Sequence, residues 1–229
     1  LDKANVPGPF LAGVNQVIPY EFFAGDGMLT RLILKASDKA PWSDNGTAKN
    51  PALPPVEKLG KGLYFYEVDL EHVIAVREKL LGHGKNEMLI GCDMFSMEWA
   101  EYLDISKHTL IVLAGVFQYF TKDKIIHFIH QIQKRIPKCE MVFDATDSIG
   151  LKRANIFVRR TGNVNAEMYF AIDNPCEFAK DTNTKLVSVS GFFADALKQC
   201  KGLKLISKIV MFFSDRLKRT MIIHLRLNQ

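Results

Sequence analysis

From Leu63 onward, short apolar runs alternate with longer stretches of helical spacing. The run Leu63 to Val68 is apolar and aromatic except for Glu67 and ends on Asp69. It passes directly into a helical pattern through Leu81, which predicts a strand that delivers a carboxylate to the rim of a sheet. Glu87 to Cys92 is a second compact run, again followed by an acid, Asp93, and Met97 to Leu103 suggests a brief helix. Thr109 to Ala114, TLIVLA, is continuously apolar, as a strand covered on both faces should be, and Gly115 opens a loop after it. Thr121 is placed to cap a helix through Ile125, Phe128, Ile129 and Ile132, which closes with Lys134 and Arg135 before a stop at Pro137. Cys139 to Ala145 predicts the next strand. The last third holds a polar and aromatic segment from Asp147 to Asp181, a strand near Leu186 to Ser190, an amphipathic stretch and a final strand, Thr220 to Leu227. Strands alternating with helices predict an α/β fold with a largely parallel sheet and right-handed crossovers.

Upstream, Gln16 to Phe23 is expected to form a short strand leading into Ala24-Gly25-Asp26-Gly27. The apolar positions Met28, Leu29, Leu32 and Ile33 then suggest a helix. Between Ala36 and Gly60 four prolines with Gly46, Asn45 and Asn50 exclude a helix or central strand, so a long irregular loop is expected.

With 229 residues, of which 48% are hydrophobic and 24% charged, one ordinary globular domain over 1–229 is expected, and disorder is not the default. The net charge of +5 comes from interspersed groups, so it excludes a nucleic-acid arm rather than suggesting one. Cys92, Cys139, Cys176 and Cys200 are too scattered for a CxxC metal or redox motif. They read as reduced thiols of a cytoplasmic protein. No apolar stretch has the length of a membrane span, and the start has no basic, apolar leader. The first residue is Leu1 rather than Met, which leaves room for further N-terminal sequence.

The chemistry gathers at the predicted strand ends: Gly25 and Gly27, then Glu67 and Asp69, then Asp93, then Gly115. Glycines let a backbone approach a ligand, while carboxylates accept hydrogen bonds from ribose hydroxyls or an adenine amine. Taken singly, each acid is more simply a helix cap or a surface charge, and AGDG a turn. Their order along alternating strands is what points to a nucleoside ligand, because open α/β sheets bind ligands outside the carboxyl ends of their strands.

The segments YFYEVDLEHVIAVREKLL, GVFQYFTKDKIIHFIHQI and KCEMVFDAT resemble the class I S-adenosylmethionine-dependent methyltransferases related to leucine carboxyl methyltransferase and the polyketide O-methyltransferases. The resemblance covers Gly62 to Asn228. It implies a Rossmann-like fold with a mostly parallel seven-stranded sheet, an antiparallel last strand and helices on both faces. It also implies S-adenosyl-L-methionine as cofactor and an O-methyltransferase acting on a carboxylate or hydroxyl of a small molecule or peptide. Carried over by position, Asp69 becomes the ribose acid with Glu67 beside it, Asp93 the adenine contact, and Gly115 the loop after the fourth strand. Gly25, Gly27, Thr30 and Arg31 in AGDGMLTR resemble the glycine-rich first motif, with Leu29 where the family commonly has Asp. The distance from Gly27 to Asp69 is about twice that of one strand-helix-strand step. Ala114 stands where the family often has Glu, and the family's longer N-terminal helical region is largely lacking.

Methyl transfer asks little covalent chemistry of the protein, so positioning and water exclusion carry most of it. Consistently, no general base stands out, and no catalytic residue is assigned. His127 and His130, three apart on a predicted helix, read as a solvated face rather than a metal site, and no metal is expected. Lys152, Arg153, Arg159 and Arg160 either attract an acidic acceptor or form an exposed helix face. Tyr119 is the candidate acceptor contact, and 147–181 a candidate substrate lid. Neither a nucleic-acid nor a membrane partner is expected, and the oligomeric state is open. The main rival is a degenerate methyltransferase-like scaffold without turnover. A nicotinamide-dependent enzyme fits less well, because AGDG lacks the third glycine of GxGxxG.

Overall fold

The computed structural model describes residues 11–16, 64–82, 87–160, 166–193, 197 and 204–228. Its centre is a sheet whose strands are β1 (Leu11–Gln16), β2 (Tyr64–Asp69), β3 (Glu87–Gly91), β4 (Thr109–Ala114), β5 (Cys139–Thr146), β6 (Lys185–Gly191) and β7 (Thr220–Arg226). They lie in the order β3-β2-β1-β4-β5-β7-β6. The pairs β2 with β3 and β4 with β5 are parallel, whereas β7 runs antiparallel to both β5 and β6.

The first strand of the sheet has a direction that the sequence did not predict. It occupies Leu11–Gln16 and is antiparallel to both neighbours, with Leu11 opposite Ala114 and Gln16 opposite Thr109 and Tyr64. The strand expected over 16–23 lies, apart from Gln16, outside the described residues. Five strands therefore share one direction, and β1 and β7 oppose them, so the sheet is mixed. The alternation of side chains along a strand reads the same in either direction, so periodicity cannot encode which way a strand enters. Residues 17–63, which hold the expected glycine turn at Gly25 and Gly27, Arg31 and the irregular loop 36–60, lie outside the described residues.

The helices follow their spacing. α1 (Glu71–Leu81) buries only Ile74 and Arg77, while α2 (Lys122–Arg135) turns Ile125, Phe128, Ile129 and Ile132 into the core. Each of those four contributes roughly 1.5–3 kcal/mol by leaving water. The segment 147–181 contains two helices that its polar composition concealed, α3 (Ser148–Arg160) and α4 (Pro175–Asp181). The α4 start is a regular cap: Asn174 accepts from the Cys176 and Glu177 amides, and Pro175 fills the first turn. The amphipathic stretch between β6 and β7 contains α5 (Leu205–Arg216).

Phe117 joins these layers. Its ring packs edge-on against Phe143 at 5.0 Å, Phe170 at 6.0 Å and Phe128 at 6.3 Å. That contact set fixes the short 3-10 turn Phe117–Tyr119 after β4, and with it the loop that begins at Gly115. The Tyr169 amide donates to the Gln118 carbonyl at 2.7 Å, so the chain between α3 and α4 is tied to the same turn.

Candidate functional site

The carboxyl ends of β2, β3 and β4 surround a cleft of about 230 Å³ lined by Val68, Asp69, Leu70, Cys92, Asp93, Met94, Val116 and Phe120. Its floor is held by backbone: Asp69 pairs with Gly91, and the Cys92 amide donates to the Asp69 carbonyl at 2.8 Å. Gly91 is required by proximity, since a Cβ there would stand 2.9 Å from the Glu71 Cα at the start of α1. One wall is aromatic. Phe120 meets Phe95 edge-on at 4.6 Å, and the Lys124 ammonium lies over both rings, 4.0 Å from the Phe95 centroid.

Asp69 is 4% exposed, and its two oxygens differ. Oδ1 accepts from the Leu70 amide at 2.7 Å, whereas Oδ2 is buried with no hydrogen-bond partner in the protein. Burial pushes the carboxyl up to about 6, against the smaller opposing pull of the Leu70 amide and His72. An orphaned buried acceptor is expensive, and this one borders a cleft where a ligand hydroxyl can reach it. Asp93, across the cleft, is exposed, and its Oδ1 caps the next 3-10 turn by accepting from the Phe95 amide at 2.9 Å.

Glu67 is engaged elsewhere. It is buried against Arg77 of α1, which also pairs with the buried Glu87 of β3 and donates to the Gly82 carbonyl at 3.0 Å. Burial raises the Glu67 carboxyl to about 7, with Arg77 drawing it down and Glu87 adding to the rise. One cation thus serves two buried carboxylates, and the cluster ties α1 to β2 and β3; Glu67 is not among the residues that line the cleft.

Gly115 takes a left-handed φ of 66°, and its amide donates to the Asp144 Oδ1 at 2.5 Å. An added Cβ would meet only the Gln118 side-chain nitrogen, in ordinary contact at 4.0 Å, so glycine is favoured there by conformation alone. Asp144 is pushed up by burial, with the Gly115 amide partly offsetting the rise. This residue was not foreseen from sequence. The available signal was an acid on the opposite face from the apolar positions Met141, Phe143 and Ala145, near the carboxyl end of β5. Tyr119 is half-buried on its turn and does not line the cleft, whereas its neighbour Phe120 does.

The basic set divides. Arg159 pairs with Glu167, while Lys152, Arg153 and Arg160 are exposed on α3. His127 is exposed and contacts Gln131 at 3.0 Å, and no cluster of three metal-ligating side chains occurs among the described residues. Nor, among those residues, is any helix long and apolar enough to cross a membrane.

The SSURE domain family matches residues 1–82, well under half of the chain and mostly outside the described residues. No curated protein matches. Among solved structures the chain is similar to a putative methyltransferase from Thermobifida fusca, at 16% identity and a TM-score of 0.48, covering 71% of this chain and 62% of that one. It is also similar to a DUF574 family protein from Streptomyces avermitilis, at 10% identity and a TM-score of 0.48, covering 69% and 63%. A third is human N-acetylserotonin methyltransferase in complex with SAM, at 11% identity and a TM-score of 0.38, covering 71% and 40%. The chain thus spans less than two thirds of the length of these structures.

Proposed function

We propose that the cleft at Asp69 binds the nucleoside part of S-adenosyl-L-methionine and that the protein is a class I methyltransferase acting on an oxygen of a small-molecule or peptide acceptor. The observation that carries this reading is the Asp69 Oδ2, a buried acceptor without a protein partner, at the carboxyl end of the second strand and on the border of a cleft. A ribose hydroxyl supplies the donor that this oxygen lacks. The left-handed turn at Gly115 and the aromatic wall of Phe120 and Phe95 suit the remainder of a flat, partly apolar ligand. Asp93 keeps its capping bond and accepts from the adenine amine in this reading, while Glu67 takes no part in ligand binding.

When bound, the cofactor would supply an activated methyl group for transfer to an acceptor oxygen by in-line displacement, with a neutral thioether as the leaving group. The chain's own residues orient and exclude water. Asp69 fixes the ribose, Asp144 holds the Gly115 turn through its amide, and Phe117 locks that turn into the core. A carboxylate acceptor is already nucleophilic near neutral pH and needs no base, in keeping with the lack of an assigned one. The test is ligand-induced stabilisation by S-adenosylhomocysteine, worth about 2.7 kcal/mol at a concentration 100 times its dissociation constant. Loss of that stabilisation in Asp69→Ala supports the assignment. No stabilisation at millimolar ligand removes it, and binding without any methylated product would leave the scaffold reading in its place.

A further inference from the structure

At the same carboxyl edge, beyond β5 and β7, the surface changes character. None of the residues of α5 is buried, although Leu205, Ile206, Ile209, Val210, Phe212 and Phe213 make it one of the most apolar segments of the chain. Leu205 is 73% exposed, Ile206 76% and Val210 62%. At 100° per residue these six and Leu217 fall on one broad face, and only Arg216 interrupts it. The single acid of α5, Asp215, is turned the other way, accepting from the Phe193 amide at 3.0 Å. Lys204 precedes the helix, and Lys218 follows it, both exposed.

The start of α3 is tied to the chain just after α5. Asp147 pairs with Arg219, and the Asp147 amide donates to the Arg219 carbonyl at 3.2 Å. α3 also has no buried residue and is free of acids over its whole length. Its exposed positions alternate apolar and basic: Ile149, Ile156 and the 69%-exposed Phe157 stand among Lys152, Arg153 and Arg160. An exposed apolar face this wide marks an interaction site. Its basic flanks select the partner.

We propose that α5 and α3 form a peripheral docking surface for a bilayer containing anionic lipids, with the α5 rings and branched side chains entering the interface and the α3 cations meeting lipid phosphates and carboxylates. In this proposal α5 and α3 lie on such a surface, which departs from the expectation of no membrane partner. Charge disfavours the other occupants. A second copy presenting the same face would set the α3 cations against themselves. The chain's own residues 17–63, with five acids and six bases, offer no negative complement.

The experiment is co-sedimentation of the full chain with vesicles of phosphatidylcholine alone and of phosphatidylcholine with phosphatidylserine. Binding is expected on the serine-containing vesicles only, falling steeply with added salt. Phe212→Ser/Phe213→Ser should weaken it at least about tenfold, and Lys152→Ala/Arg153→Ala by about fivefold for each cation removed. Circular dichroism should show both variants folded, because every altered side chain is exposed, and Ile206→Ser gives an independent check on the apolar face. Absence of binding to serine-containing vesicles, or binding that survives both double variants, overturns the proposal. So does a wild-type dimer that Phe212→Ser/Phe213→Ser converts to monomer without any vesicle affinity. Because the assay needs no cofactor, its failure is distinct from failure of the methyltransferase reading.

Discussion

Replacing Asp69 by Asn should stabilise the protein while destroying ligand binding. In the folded chain the Asp69 carboxyl sits at about 6, against 3.8 for the free group, because burial penalises its charge. A carboxyl raised on folding binds its proton more tightly in the folded state. Stability from this residue is therefore intact below about pH 4, falls as pH rises towards 6, and stays low above that. A rise of this size in a carboxyl's pKa corresponds to roughly 3 kcal/mol. Asn keeps an oxygen to accept from the Leu70 amide and carries no charge, so it escapes that penalty. In thermal denaturation near pH 8, Asp69→Asn should melt about 6–12 °C above wild type as an upper bound. Near pH 3 the two should melt together. S-adenosylhomocysteine should then raise the melting temperature of wild type but not of the variant. A variant less stable than wild type at high pH, or a difference that does not vary with pH, would refute the view that Asp69 is a desolvated acid held for a ligand.

Arg77→Met should destabilise by about 3–5 kcal/mol in urea titration, since it leaves Glu67 and Glu87 buried without their cation, and the loss should shrink in acid as those groups protonate. A loss under about 1 kcal/mol would show that the pair is not desolvated. Gly115→Ala meets no steric obstacle but must adopt a positive φ, costing about 1–2 kcal/mol in chemical denaturation, with a larger proportional loss of S-adenosylhomocysteine affinity. Unchanged stability would mean that the turn relaxes. Asp144→Ala removes the acceptor of the Gly115 amide and should cost about 1–3 kcal/mol, while Asp144→Asn should recover most of it. Equal losses in the two would assign the role of Asp144 to its charge.

The strand and helix positions from Leu63 to Pro137 were legible because each element has a strong period and a clear stop. The TLIVLA run declares a strand covered on both faces, and Ile125, Phe128, Ile129 and Ile132 declare a helix face. The acids at the ends of β2 and β3 were also placed correctly at one edge, because a strand ending on a carboxylate and followed by helix has few other geometries. What sequence left out was three-dimensional. Nothing in LAGVNQ states its direction, so the reversal of β1 was invisible. Glu67 and Asp69 lie two residues apart on one strand and look equivalent in sequence, yet Arg77, a helix away, neutralises only the first. Asp144 gained its role from a contact with Gly115 across 29 residues. The helix α3 was hidden in a segment judged by composition, although Asp147 capping Gly150 at 2.6 Å is a local signal.

The assignment of Asp69 Oδ2 to a ribose hydroxyl is decided by a crystal structure of the protein with S-adenosylhomocysteine. That structure should show a ribose hydroxyl within hydrogen-bonding distance of Asp69 Oδ2, with the adenine edge near Asp93 and the thioether beside the Gly115 turn. A nucleoside bound elsewhere, or beside Asp69 with its ribose turned away from that oxygen, would contradict it.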